Sequence, residues 1–210
     1  MSYSTLTKRD LKKLFGVEEV FRSNLFIDIQ PRQVSDWLET GLRQNFDFAL
    51  AQGTEKARSE FLIALVFAEL KQQVQDKASI FSGWEFNVDV EKGLTERCDF
   101  LVFRSSYQAE MESPIVVTVE AKEEDFNKGI TQCTAEMIAA RIFNEREGNP
   151  TNQVYGCVTT GDVWRFLILR GNRSEIDSKP FDLRDDIETI FGLLWAMTFD
   201  EITWKNGEHN

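Results

Sequence analysis

Histidine is almost missing from this chain. The only one is His209, beside the C-terminus, so mechanisms that need an imidazole base or a histidine-rich metal site lack their main reagent. Catalytic triads and zinc hydrolases are set aside on that ground. Cysteine is also scarce: Cys98, Cys133 and Cys157 are odd in number, lie in apolar runs and show no Cys-x-x-Cys spacing, which suggests neither a disulfide framework nor a zinc cluster. They read as reduced core residues. No stretch approaches the roughly 20 apolar residues that cross a bilayer, and the N-terminus lacks the apolar segment of a signal peptide; a cytoplasmic protein without membrane contact is expected. A Gly-rich phosphate loop and a serine elbow are missing too. Basic residues are outnumbered, 24 Lys and Arg against 35 Asp and Glu, for a net charge of −11. That balance argues against a generally nucleic-acid-binding surface, although a local basic groove or a carboxylate-bound cation can reverse the field locally.

What is present is a full core: 210 residues, 42% of them hydrophobic, with 17 Phe. Length and the lack of repeats or long linkers point to one domain over 1–210. Residues 7–15 suit a short helix and 24–29 a short strand. Val34, Trp37, Leu38, Gly41 and Leu42 recur with helical spacing after Pro31, which fits a first-turn position. A helix over 55–75 carries the stripe Ile63, Val66, Phe67, Leu70 and Val74. After Gly83, strict alternation predicts a strand over 84–90, a turn at Lys92-Gly93 and a hairpin partner over 96–103. The run 115–121 is nearly all apolar, as a central strand would be. A helix over 126–145 ends at Gly148-Asn149-Pro150; strands over 154–160 and 163–169 meet at Gly161-Asp162; 171–179 reads as polar loop and 185–199 as a final helix. The expected fold class is α/β, a mixed sheet flanked by helices.

Alternation of side chains along a strand puts Glu120 and Lys122 on one face and Ala121 on the other, at the C-terminal end of an apolar strand, where ligands tend to bind in open α/β sheets. Asp99 lies in the neighbouring strand among residues that otherwise read as buried, where an acid is costly unless paired or bound to metal. At about 100° per residue, Glu60 falls on the edge of its helix's apolar stripe. Together these residues suit phosphodiester hydrolysis assisted by a divalent metal. Carboxylate oxygens of Asp99 and Glu120, with the Ala121 carbonyl as a candidate third donor, would hold Mg²⁺ or Mn²⁺. Lys122 would position the attacking water or stabilise developing charge, and Glu60 would orient a metal-bound water.

The series Glu60, Asp99, Glu120-Ala121-Lys122, carried on to Gln132 and threaded on helix, two strands, strand and helix, resembles the PD-(D/E)XK nuclease superfamily over 55–169, somewhat over half the chain. The segment 154–169 is similar to the hairpin after the crossover helix in N-terminal nuclease domains of type I restriction subunits and their stand-alone relatives. The resemblance implies a restriction-endonuclease-like fold, with 1–54 as an N-terminal helical extension and 185–199 as a C-terminal helix. It implies that Asp99 and Glu120 are metal ligands, Lys122 the catalytic lysine, Glu60 the first-helix acid and Gln132 an auxiliary polar residue. The substrate would be nucleic acid, DNA foremost, with a homodimer or a partner protein as further options. Two departures stand out: Cys98 precedes Asp99 in place of proline, and Glu136 stands where members with a Gln-x-x-x-Tyr motif carry an aromatic.

Plainer readings exist for several residues. Glu60 can pair with Arg58 or Lys56 on a solvated helix face, Gln132 can be ordinary helix packing, and Glu123, Glu124 and Asp125 suit a helix N-terminal turn. Trp164 reads as core. Lys128, Arg141, Arg165, Arg170 and Arg173 are candidates for phosphate contact. The competing function is a catalytically silent binding or regulatory module on the same fold, working with a partner.

Overall fold

The computed structural model describes residues 1–26, 28–106, 112–121 and 125–202. Its order of elements is a 3₁₀ turn Tyr3–Thr5, helix α1 (Lys8–Phe15), strand β1 (Glu18–Arg22), helices α2 (Asp36–Gln52), α3 (Glu55–Arg58) and α4 (Ala64–Val74), strands β2 (Ser79–Glu85), β3 (Arg97–Phe103) and β4 (Ile115–Ala121), helix α5 (Phe126–Arg146), strands β5 (Gln153–Thr159), β6 (Val163–Arg170), β7 (Arg173–Asp177) and β8 (Phe181–Asp182), and helix α6 (Ile187–Phe199). Among the described residues the eight strands form one mixed sheet, in the order β1-β7-β6-β5-β4-β3-β2, with β8 paired to β6. The β1–β7 and β4–β5 pairs are parallel and the rest antiparallel.

Two apolar clusters cover the two faces. One joins Leu38, Leu42 and Phe46 of α2, Val66, Phe67 and Leu70 of α4, and Ile190, Phe191 and Leu194 of α6 to Val117, Val119 and Trp164 of the sheet. The other joins Tyr3, Leu11 of α1 and Ile130, Cys133 and Met137 of α5 to Leu101, Phe103 and Leu167. The result is an α/β architecture with a mixed sheet between helical layers. No helix among the described residues is long and apolar enough to cross a membrane. All three cysteines are buried and free, as their apolar surroundings predict.

Local chemistry sets the helix starts. Thr7 Oγ1 accepts from the Asp10 N–H and Asp10 Oδ2 from the Thr7 N–H, a reciprocal capping box that starts α1. The next helix begins later than Pro31 suggests. Ser35 caps it by accepting from the Leu38 N–H, and Pro31 lies in the lead-in, where the Arg32 N–H donates to the Glu188 carbonyl. The buried Glu69 carboxylate accepts from both the N–H and the hydroxyl of Ser35, fixing this cap to α4. Residues 55–74 form one helical stretch whose middle, Ser59–Ile63, is wound as a π-helix.

Three sequence expectations are corrected. The strand expected at 24–29 is instead β1 (Glu18–Arg22), an edge strand whose single neighbour leaves room for charged side chains; 23–26 is a turn, and Ile27 lies outside the described residues. The strand expected at 84–90 begins earlier, at Ser79, because its register against β3 pairs Ser79 with Phe103 and Glu85 with Arg97. Past Glu85 the alternating residues form only a bridged turn, Asp89 with Leu94, and Val90 is exposed. The polar stretch 171–179 contains β7, which pairs on both edges. Past the exposed Arg173 its polar side chains are buried but bonded: Ser174 to Thr134, Glu175 to Arg170, and Asp177 to the N–H groups of Phe26 and Lys179. Sequence polarity concealed a strand whose side chains find partners inside the fold.

Candidate active site

Strand β4 matches its expected bounds and runs through the interior between β3 and β5. Val117, Val119 and Ala121 belong to the α4 side of the core. Thr118, one residue out of phase, meets Cys133 of α5, with 3.5 Å between Oγ1 and Sγ. Alternation therefore turns Glu120 towards α5, and there it is 2% exposed. Strand β3 pairs antiparallel with β4 through Phe100 and Val119, and one further step of that register brings Asp99 opposite Glu120. Asp99 is half-buried, and its Oδ2 accepts from the Ala121 N–H at 2.7 Å. A carboxylate thus takes up a backbone donor where the recorded ladder pairs end.

Helix α5 completes the surroundings. Asp125 caps it by accepting from the Lys128 N–H at 3.0 Å, in line with the helix-start reading of the acidic run; Glu123 and Glu124 lie outside the described residues. One turn in, Gln132 Nε2 donates to Glu136 Oε1 at 3.4 Å, and both residues are buried. Burial pushes the Glu136 carboxyl well above the ordinary carboxylate range. The neighbouring Glu120, through its charge and a hydrogen bond, and then Asp99 push it further, while the Gln132 hydrogen bond pulls it down. The Cys98 thiol is also raised, by burial first and then by Glu136, Glu120 and Asp99. The Tyr3 hydroxyl, which donates to the Phe86 carbonyl at 2.7 Å, is raised mainly by burial and then by Cys98, Glu136 and Glu96.

Five of the sequence-derived site residues can therefore be placed, and three come together. Asp99, Glu120 and, through Glu136, Gln132 converge between the end of β4 and α5. Ala121 adjoins them through its N–H. Glu60 does not join them: it lies in the π-helical segment, among residues that pack on the other face of the sheet, and its exposed carboxylate pairs with Lys56 at 2.7 Å, the plainer of its two readings. Lys122 lies outside the described residues, as does His209. No family model matches this chain, and no match is found among the curated proteins.

The basic candidates are largely engaged elsewhere. Arg170 pairs with Glu175, Arg141 donates to the Gly171 carbonyl, and Arg165 donates to the carbonyls of Asp177 and Ser178 while lying over the Phe126 ring. Arg173 stands opposite Glu18 in the β1–β7 register. Lys128 is exposed at the start of α5.

The donor chemistry suits a hard cation in type, since carboxylates on adjacent strands are what Mg²⁺ or Mn²⁺ takes. Mutual repulsion between desolvated acids is also what a divalent ion relieves. Among the described residues, however, no three His, Cys, Asp or Glu side chains are disposed to hold an ion together. The residues whose chemistry fits such an ion are the pair Asp99 and Glu120, with the Ala121 carbonyl beside them.

Sequence reasoning missed Glu136 and Tyr3. The signal for Glu136 was available: it is the sole charged residue in the run 133–140, Cys-Thr-Ala-Glu-Met-Ile-Ala-Ala, and an acid in such a setting asks for a partner. Tyr3 left no signal, because only the tertiary fold brings the N-terminus beside α5.

Proposed function

We propose that this protein is a Mg²⁺- or Mn²⁺-dependent nuclease of PD-(D/E)XK type, with a restriction-endonuclease-like core, that hydrolyses phosphodiester bonds of nucleic acid, DNA foremost. The observation that carries the reading is the meeting of Asp99 and Glu120 at the C-terminal end of the central strand β4, in a chain that continues Glu120-Ala121-Lys122.

Asp99 and Glu120, with the Ala121 carbonyl, would hold the cation. When bound it supplies Lewis acidity, lowering the pKa of water and offsetting charge on the scissile phosphate. The side chains supply the rest. The Ala121 N–H fixes Asp99 Oδ2, so that carboxylate keeps its orientation. Lys122, two residues beyond Glu120 in the sequence, would supply an ammonium to orient the attacking water and stabilise developing charge. Gln132 acts on the cluster from α5 through Glu136. Glu60, paired with Lys56, stays outside this donor set.

Purified protein is expected to cut single-stranded or duplex DNA in Mg²⁺ or Mn²⁺ and to lose that activity in Asp99→Ala and Glu120→Ala. Gel assays with DNA and RNA substrates test this, and cleavage unchanged by Asp99→Ala would overturn the assignment. A second reading, a silent binding module on the same fold, draws on the near-complete burial of Glu120 and the net charge of −11. Calorimetry separates the two: Mn²⁺ binding that disappears in Glu120→Ala supports the nuclease, and no binding by the wild type supports the module.

A further inference from the structure

We propose that the seam between α2 and the helical stretch 59–74 is a dimerisation surface, on which a second copy of this chain docks about a two-fold axis with its α2 antiparallel to the first. The inference stands apart from the nuclease reading.

The seam is apolar where exposed helix surfaces are ordinarily charged. Trp37 and Phe48 are 52% and 49% exposed, and they lie on one line of α2, about three turns or 16 Å apart. Between them the same face carries Thr40, Gly41, Gln44 and Asn45. That strip bears no charge, in a chain with 28% charged residues. The acids and bases of α2, Asp36, Glu39, Arg43 and Asp47, fall on the neighbouring exposed face, and Leu38, Leu42, Phe46 and Ala49 take the buried one. A single exposed apolar residue needs no explanation, but two aromatics aligned on an uncharged strip mark a surface to be covered.

The adjoining helix widens the strip. Phe61 packs edge-on against Phe48, with ring centroids 5.1 Å apart. Gly41 lets α2 close on Leu65, since a Cβ there would lie 3.3 Å from Leu65 Cδ1. Phe61 and Leu65 are half-buried and Ala68 is exposed. Two polar groups of the strip already have partners: Asn45 Nδ2 donates to the Gly41 carbonyl at 2.8 Å, and Thr40 Oγ1 accepts from Arg43 at 3.4 Å. Covering them therefore costs less than covering unpaired groups.

Shape, area and charge select a second copy as the occupant. Trp37, Thr40 and Gly41 mirror Phe48, Asn45 and Gln44 about the middle of the strip, so an antiparallel α2 brings Trp37 of each copy to Phe48 of the other, the self-complementarity that a two-fold contact requires. Helix α2 has 17 residues, about 25 Å of length, and two helices side by side are about 20 Å wide. Each copy then offers about 500 Å², and the pair buries about 1,000 Å², the lower bound for a specific contact. Each copy carries a net charge of −11, so two copies repel, and an uncharged strip with a tryptophan anchor is where they meet at least Coulombic cost.

The test is sedimentation equilibrium of the full chain in chelator over a concentration series. Wild type is expected to pass from one chain to two as concentration rises, and more readily at high salt, where repulsion between the acidic copies is screened. Trp37→Glu and Phe48→Lys are each expected to raise the dissociation constant roughly tenfold or more. Val90→Lys, at an exposed apolar site away from the seam, is expected to leave it unchanged. Combining Trp37→Glu with Phe48→Lys sets a glutamate opposite a lysine twice across the axis, while the two stand too far apart to pair within one helix. The double variant is expected to associate more tightly than either single variant. Where a charged variant loses its circular dichroism, Trp37→Ala and Phe48→Ala replace it, with weakened association again expected. A wild type that stays monomeric at every concentration overturns the proposal, as does a dimer that both single variants leave intact. A double variant no tighter than the single ones overturns the antiparallel docking.

Discussion

Glu136 is raised mainly by burial and next by Glu120, which makes it a folding liability with a defined sign. The folded state keeps a proton that the unfolded chain releases above the ordinary glutamate value of 4.5. Its contribution to stability is therefore full below that value and is lost as pH rises towards the elevated folded value. Glu136→Gln has no such proton to lose. In metal-free buffer the variant is expected to gain stability relative to wild type as pH rises from mildly acidic to neutral; urea unfolding at a series of pH values measures it, and a gap that shrinks with pH contradicts the picture. Placement was legible at Asp99 and Glu120, where alternation on neighbouring strands carries it, while Gln132 was named only through the family resemblance. It was not legible at Glu60, whose helical phase was compatible with both a site role and the exposed pair with Lys56 that the fold adopts.

Periodicity recovered most elements, since an apolar stripe on a helix and a continuous apolar run in a strand follow from burial itself. The helix expected at 126–145 is α5 (Phe126–Arg146), and the expected hairpin is β5 and β6, turning through Gly161 at φ +91. Strands whose burial depends on remote partners escaped. The buried β7 looks polar because Thr134, Arg170 and the Phe26 N–H satisfy it from elsewhere. The packing of α5 on β5 rests on a missing side chain at Gly156, where φ needs no glycine and space alone does. Gly156→Ala is expected to destabilise the protein by about 1–3 kcal/mol through overpacking, seen as a lower denaturant midpoint with unchanged m-value; full stability would show that α5 can move away from the sheet. The opposite end of α5 is tied by Asn144, whose side chain accepts from the N–H of Ile115 and donates to its carbonyl at 2.7 and 2.8 Å, so the helix that carries Glu136 is anchored to the strand that carries Glu120.

At the scale of the molecule, a net charge of −11 sets the terms on which a polyanion can approach. With several basic side chains near α5 and β6 engaged by carbonyls or Glu175, nucleic acid is expected to bind weakly in chelator at physiological salt. Binding is expected to strengthen when Mg²⁺ is supplied, and Asp99→Asn is expected to remove that gain. Filter binding with an uncleavable substrate, with and without chelator, measures the difference; equal binding in both conditions would place recognition away from the acidic cluster. The sequence by itself determined the alternation of helices and strands, the central placement of β4 and the residue types gathered near its end, because these depend on local period and on the cost of burying charge. Only the tertiary structure decided that Glu120 faces α5, that Glu136 and Tyr3 join its surroundings while Glu60 stays outside, and that 171–179 holds a strand. Those outcomes depend on which remote groups come within hydrogen-bonding or Coulombic reach, and no local pattern encodes that.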